Sequence, residues 1–305
     1  MTPLLVTGHT GFVGRTLVQN DNDLASRRGW RIVTLPEGLD IRDPSLASSL
    51  RTLVPGAVIH LAASTNVDES FRDPDACFDV NYHGTLNLLR ALRETSFSGR
   101  LLYVSSGDCY GTLSDSMLPV NETTPLRPRN PYAVSKVATE ALCYQWSQTE
   151  DLDVVIARPF NHIGPGQDVR FVVPSLCRQI ARIKNKRAAA VLRAGNIDVT
   201  RDFSGVRDVL RAYFCLLVDG APAEAYNVAS GRETRLRDLI DELLAIAGID
   251  ATVEVDAARV RASEQRRVVA DVSKITRDTD WRPQASLHET LKATLEYWYG
   301  RVHDE

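Results

Sequence analysis

A chain of 305 residues, 44% hydrophobic and 25% charged, is long enough to bury one large core or two smaller ones without disulfides or metals as staples. Its formal net charge of −3 offers no electrostatic attraction to nucleic acid or to a membrane surface, so any anionic ligand has to be met by local charge. The five cysteines, Cys77, Cys109, Cys143, Cys177 and Cys215, and the six histidines show no metal-ligand spacing, and with neither a signal-like start nor an apolar run of about 20 residues the expectation is a cytoplasmic protein with free thiols and no metal.

An apolar run at residues 4–7 leads into Gly8-His9-Thr10-Gly11-Phe12-Val13-Gly14. Three glycines between a strand and a helix let backbone amides approach a pyrophosphate, whose charge the helix N-terminus favours. The turn residues Gly8, Thr10, Gly11, Phe12, Val13 and Gly14 are therefore expected to hold a dinucleotide. Further apolar runs at 31–35, 57–61, 101–105 and 154–157 alternate with helical patterns at 74–95 and 132–149, and this predicts an α/β fold with a parallel sheet covered on both faces. A carboxylate that reads the ribose of NADH belongs at the end of the second run, but Leu35 is followed by Pro36 and only then by Glu37, so NADPH and NADH both stay open. Asp40 and Ile41 suit an adenine edge, and Leu61, Ala62 and Ala63 place small residues where the middle of the cofactor would lie. His60 reads as a buried, satisfied imidazole.

The fourth run ends Val104-Ser105-Ser106-Gly107-Asp108-Cys109-Tyr110-Gly111, and ligands gather at the carboxyl ends of such strands, which places Ser106 for chemistry. Tyr132 and Lys136 lie four apart on one helical face, where a fixed ammonium can lower the phenol's pKa from about 10 towards the working pH. Together these groups propose hydride chemistry at a carbonyl. After Pro159 the texture changes to a Gly/Pro loop at 161–167, a basic helix at 171–186 and amphipathic helices at 236–247 and 286–299, with a helix and strand at 206–230 returning to the sheet. The division predicted is a dinucleotide-binding domain over 1–165, with the return of 202–230, and a smaller ligand-covering lobe from 166–201 and 231–305.

Gly8 to Gly14, Ser106, Tyr132 and Lys136 together resemble the extended short-chain dehydrogenase/reductase superfamily, whose members mostly act on nucleotide sugars. Residues 158–167 (Arg-Pro-Phe-Asn-His-Ile-Gly-Pro-Gly-Gln), Phe171-Val172, Gly195-Asn196-Ile197-Asp198, Arg201-Asp202-Phe203 and Arg261-Ala262-Ser263-Glu264 look like its branch acting on GDP-mannose derivatives. The resemblance implies a doubly wound, Rossmann-like sheet with a smaller C-terminal substrate-binding lobe, and NADPH or NADH as cofactor. It implies that Ser106 hydrogen-bonds the reacting oxygen, Tyr132 transfers the proton and Lys136 holds the nicotinamide ribose. It further implies substrate contacts at Ser106, Gly107, Asp108, Tyr132, Asn161, Val172, Arg201, Arg261 and Glu264. Asn161 would lie near the diphosphate, Arg201 and Arg261 on phosphate charge, and Glu264 on the nucleoside. Read without the family, Arg259, Arg261, Arg266 and Arg267 form a solvated basic face.

The implied reaction is reduction of the C4 ketone of GDP-4-dehydro-6-deoxy-D-mannose to GDP-6-deoxy-D-mannose. The alternative is a GDP-mannose 4,6-dehydratase, which resembles this chain but puts a Glu as base where Asp108, one methylene shorter, stands. An epimerising reductase would need a Cys at that position; Cys109 is one residue out of register and reads better as a small buried residue. A binding module that keeps the fold without chemistry is disfavoured by the joint presence of Ser106, Tyr132 and Lys136. The resemblance also implies a homodimer built by packing the 74–95 and 132–149 helices into a four-helix bundle.

Overall fold

A computed structural model of the chain describes residues 1–20, 22–256 and 265–303. Its strands are β1 (Thr2–Thr7), β2 (Trp30–Thr34), β3 (Ala57–His60), β4 (Arg100–Val104), β5 (Asp153–Pro159), β6 (Asn161–Ile163), β7 (Val191–Ala194), β8 (Thr200–Gly205), β9 (Ala225–Val228), β10 (Glu233–Arg235) and β11 (Thr252–Val255). Six of them form one wholly parallel sheet in the order β2-β1-β3-β4-β5-β9. The near-continuous apolar runs follow from burial on both faces. Leu4 and Val6 of β1, Ile59 of β3, Leu102 of β4 and Val155 of β5 enter one core, whereas their neighbours Leu5, Val58, Leu101, Tyr103 and Val154 enter the other. Leu210, Phe214 and Leu217 of the Val206–Asp219 helix cover the first face. The second is covered by Leu46 and Leu50 of the Leu46–Leu53 helix, Leu88 and Leu92 of the Gly84–Glu94 helix, and Cys143 and Trp146 of the Pro131–Thr149 helix. The fold is therefore a doubly wound α/β sheet.

A third core lies beyond β5. Val173, Leu176 and Ile180 of the Val172–Lys184 helix meet Leu239 and Leu243 of the Leu236–Ala247 helix and Leu291 and Leu295 of the Leu287–His303 helix. Two small sheets, β10-β8-β6 and β11-β7, flank it. Among the described residues no helix is long and apolar enough to cross a membrane.

Two expectations change. The helix expected at 74–95 is three pieces, Pro74–Phe78, a wider π turn at Asp79–His83, and Gly84–Glu94. The π turn leaves the carbonyl of Asn81 to accept the hydroxyls of Thr85 (2.6 Å) and Thr139 (3.3 Å), and Gly84 admits Ile41, whose Cδ1 would lie 2.6 Å from an added Cβ. The Gly/Pro loop expected at 161–167 begins as strand β6, because Asn161, His162 and Ile163 pair in register with Phe203, Ser204 and Gly205. Only Gly164 to Gly166 carried the turn signal.

The glycine turn leaves no room for side chains at Gly8 and Gly14. Gly8 has φ +67°, and an added Cβ there would lie 2.6 Å from the Ala62 amide nitrogen; one at Gly14 would lie 2.4 Å from the Gly8 carbonyl oxygen. Gly8→Ala is therefore expected to cost about 2–3 kcal/mol of unfolding free energy, from positive φ and a backbone clash together. Urea denaturation checks it, and an unchanged midpoint would contradict the packing described.

Candidate active site

Parallel register brings the carboxyl ends of β1, β3 and β4 to one edge, where Thr7 pairs with His60 and His60 with Tyr103. Gly8 packs directly on Leu61 and Ala62, so the glycine turn and the small residues after β3 form one wall. The hydroxyl of Thr7 fastens them, accepting from the Ala62 amide at 3.2 Å and bonding His60 Nδ1 at 2.7 Å. His60 Nε2 meets the Thr85 hydroxyl at 2.9 Å, and burial drives the imidazole pKa down to about 3, so it is a neutral structural bridge. Phe12 opens the first helix after its N-cap Gly11, and its ring lies parallel to that of His162. The carboxylate of Asp40 already accepts three hydrogen bonds from Arg42, 2.8 to 2.9 Å, and Ile41 is buried in the second core.

Ser106, Tyr132 and Lys136 converge at the end of β4. Ser106 caps a 3-10 turn over Gly107–Tyr110, its hydroxyl accepting the Asp108 amide at 3.2 Å and lying near enough to the Tyr132 phenol to lower its pKa; Asp108 on that turn is exposed. Asn130 starts the Tyr132-bearing helix by accepting the Ala133 amide at 2.7 Å, with Pro131 at the first helical position. Lys136 is buried, donates to the Val104 carbonyl at 2.8 Å and sits 5.9 Å from the centroid of the Tyr132 ring.

The electrostatics reverse the sequence expectation. Burial, then the charge of Asp108, pushes the Tyr132 phenol above its ordinary value, against a smaller lowering from the Ser106 hydroxyl. Burial also brings the Lys136 ammonium down to about 8, so its charge, present at neutral pH, is lost as the pH rises through that value. The phenol is held protonated. Burial likewise pushes the Cys109 thiol up to about 12, which removes it as an acid or base.

Several residues that sequence reading missed hold this set in place. The Glu140 carboxylate, one turn beyond Lys136, accepts from the Ser105 hydroxyl and from Arg158 of β5 at 2.6 to 3.2 Å; both ionic residues are about 5% exposed. Arg158 also donates to the Tyr110 hydroxyl at 3.0 Å, which donates to Asn227 of β9 at 2.6 Å. Asn81 clamps Ser64 through amide and carbonyl (2.7 and 3.0 Å) and donates to Ser135 at 2.8 Å, while Ser70 accepts the Tyr132 amide at 3.2 Å. The signal available was Arg158 directly after the apolar run Val154-Val155-Ile156-Ala157; Glu140, on a helix that also holds Lys136 and several polar residues, carried no comparable signal.

Across the cleft, Asn161 is exposed at the start of β6, Arg201 is half-buried on β8 and donates to the Thr200 carbonyl, and Val172 is half-exposed at the first turn of its helix. Arg261 and Glu264, and Arg259 with them, lie outside the described residues. The chain that follows is stitched to both sides: Gln265 bonds the Leu113 backbone through amide and carbonyl (3.0 and 3.1 Å), and Val269 accepts from Val120 at 2.9 Å. Arg267 is not simply solvated. It makes a two-point pair with Glu233, 2.8 Å on each arm, which holds that carboxyl down at about 2.

Residues 31–294 match the family described as GDP-mannose 4,6 dehydratase. The chain is 46% identical over 99% of its length to the GDP-6-deoxy-D-mannose reductase of Pseudomonas aeruginosa, covering 99% of that protein, and 28% identical over 97% to dTDP-glucose 4,6-dehydratase 1 of Escherichia coli, covering 92%. A solved structure of RMD from Pseudomonas aeruginosa complexed with NADPH superposes with a TM-score of 0.90 at 44% identity, covering 99% of this chain and 100% of that one. UDP-glucose 4-epimerase from Thermus thermophilus complexed with NAD gives 0.85 at 29% identity, covering 98% and 99%.

Arg158→Leu leaves Glu140 buried without a cation and is expected to cost about 3–5 kcal/mol, whereas Glu140→Leu with Arg158→Leu recovers most of that loss. Denaturant titrations of both single variants and the double variant measure the coupling. A double-variant loss equal to the sum of the single losses would mean the two side chains do not act as a pair.

Proposed function

The chain belongs to the GDP-mannose 4,6 dehydratase family, within the extended short-chain dehydrogenases/reductases, and from that membership and the cleft's geometry we propose that it is an NAD(P)H-dependent nucleotide-sugar reductase. It reduces the C4 ketone of GDP-4-dehydro-6-deoxy-D-mannose to GDP-6-deoxy-D-mannose. The observation that carries the direction is the 46% identity over 99% of the chain to a GDP-6-deoxy-D-mannose reductase, joined to Asp108 standing where a dehydratase's longer Glu would serve as the base for elimination.

The residues present fit a dinucleotide. Gly8 and Gly14 make a turn too tight for any side chain, with the small residues Ala62 and Ala63 opposite, and this leaves the turn's backbone free to meet a pyrophosphate. When bound, the nicotinamide supplies the hydride. Tyr132 donates its phenolic proton to the C4 oxygen, and Ser106 holds that oxygen by a second hydrogen bond as charge develops on it. Lys136 holds the nicotinamide ribose and, while charged, favours the phenolate left after transfer. Asn161, Val172 and Arg201 line the sugar-nucleotide side with Gly107 and Asp108, and Arg261 and Glu264 complete the set on grounds of family likeness. Gly107 is kept small by Phe160, whose ring carbons would stand 3.1 Å from an added Cβ. Residues 1–165 with 202–230 act as the dinucleotide-binding domain and 166–201 with 231–305 as the sugar-nucleotide lobe. The free thiols suit a reducing compartment, and the cytoplasm is the site proposed.

Val134 and Tyr144 expose 40% and 55% of their surface on the outer face of the Pro131–Thr149 helix, an apolar stripe beside the catalytic residues. A second copy covers it, with the helices over 74–94 and 131–149 of each protomer forming a four-helix bundle. Light scattering is expected to give a dimer mass, and Tyr144→Glu with Val134→Glu a monomer. A monomeric wild type at working concentration would rule the bundle out.

The decisive assay supplies GDP-4-dehydro-6-deoxy-D-mannose with NADPH and, separately, with NADH, follows nicotinamide absorbance and identifies the sugar by NMR. Stoichiometric oxidation with GDP-6-deoxy-D-mannose as product is expected; consumption of GDP-mannose without net oxidation would make the chain a dehydratase instead. Tyr132→Phe is expected to lower kcat by about 10²-fold or more while cofactor binding persists. In the wild type, kcat/KM is expected to fall as pH rises through about 8, where Lys136 loses its proton, and Lys136→Arg to move that limb above the range of the assay. A flat profile to pH 10, the ordinary phenol range, would show that the charge of Lys136 is not needed.

A further inference from the structure

The chain between β5 and the Val172–Lys184 helix carries a proposed substrate contact at each end, Asn161 and Val172. Its own contacts run to the dinucleotide side of the cleft. The rings of His162 and Phe12 are stacked, 6.0 Å between centroids and 4° between planes, and a Cβ at Gly164 would lie 3.5 Å from the tip of the Phe12 ring. Arg15, three residues after Phe12, donates to the Gly166 carbonyl at 3.3 Å. Arg170 bridges Asp168 (3.1 Å) to Glu69 (2.8 Å) of the Val67–Arg72 helix.

Inside the segment, His162 is the fixed point. Its Nδ1 donates to the Phe160 carbonyl at 2.9 Å, which sets both the tautomer and the plane of the ring. Its own carbonyl accepts the Gln167 side-chain amide at 2.9 Å, closing the loop on itself. Asn161 precedes His162 on the same three-residue strand, so a shift of the imidazole carries Asn161 with it. Phe12, on the other side of the stack, belongs to the turn that meets the dinucleotide. Whatever orders Phe12 therefore orders Asn161.

We propose that His162 is a positioning residue that couples the two halves of the site: a dinucleotide seated on the glycine turn raises the affinity of the cleft for a nucleoside diphosphate through the Phe12–His162 stack. The proposal rests on the functional reading given above. Coupling of this kind is reciprocal, so the nucleoside diphosphate tightens the dinucleotide by the same factor.

Calorimetric titration of the full-length protein with GDP, with and without saturating NADP+, measures the factor directly, and the reverse titration checks reciprocity. The wild type is expected to bind GDP about 5-fold or more tightly in the presence of NADP+. In His162→Ala the factor is expected to fall to near one, with the melting temperature and GDP affinity in the absence of NADP+ close to wild type. His162→Phe, which keeps a flat ring against Phe12, is expected to restore it. A factor that persists in His162→Ala, or a wild-type factor of one with GDP still bound, would overturn the coupling alone. Loss of GDP binding in His162→Ala by the same amount with and without NADP+ would reduce His162 to a structural role and also overturn it. No GDP binding to the wild type in either condition would remove the functional reading, and the coupling with it.

Discussion

A carboxylate taken out of water has to be met by a cation, and Glu140 and Arg158 meet that requirement where the helix that bears Tyr132 and Lys136 crosses the sheet. The pair is costly to bury, and its return lies in geometry as much as in energy. Its arms reach Ser105 at the end of β4, Tyr110 at the end of the following turn and, through Tyr110, Asn227 on β9. Ser106 and the Tyr132–Lys136 pair arrive on different elements, and two or three ångströms of slippage between these would separate the hydroxyl from the phenol. The buried pair spans the joint. It also accounts for the adjacent serines: Ser105 is turned inward to the carboxylate, which leaves Ser106 facing the cleft.

The phenol of Tyr132, the proton donor proposed above, is governed by its surroundings more than by its lysine. A phenol that is desolvated and faces a carboxylate keeps its proton, and a lysine desolvated beside it weakens as a cation. Both effects come from the same burial, and the protonated phenol suits the proposed transfer of a proton to a ketone. Asp108, exposed on the turn after Ser106, adds its negative charge to the same effect.

The outline of the fold was legible because its signals are periodic. Runs of four or five apolar residues with alternate members on opposite faces read as central parallel strands, and the glycine turn, Asn130-Pro131 and Tyr132–Lys136 each carry a local mechanism. What stayed hidden depends on pairs distant in sequence. Nothing near Glu140 names Arg158, the π turn at Asp79–His83 exists because Asn81 serves Ser64 and Thr139 as well as its own helix, and β6 is a strand only because β8 lies beside it. The acidity of Tyr132 was misread for a related reason: spacing along a helix reports which charges are near and says little about how much water is excluded. The phosphate-side assignments drew on family likeness, since an arginine on a surface reads the same whether it awaits a ligand or solvent.

The strand order has a consequence for biosynthesis. β9 completes the sheet beside β5, yet residues 160–224, including β6 to β8 and two helices, are made between them. At ~5–20 residues per second the ribosome takes several seconds over that interval, during which β5 stands as an open edge and Arg158 lacks Tyr110's anchor on β9. The nascent N-terminal half is thus a sheet with one sticky side, and the interleaved second lobe cannot be cut away from it without leaving that side exposed.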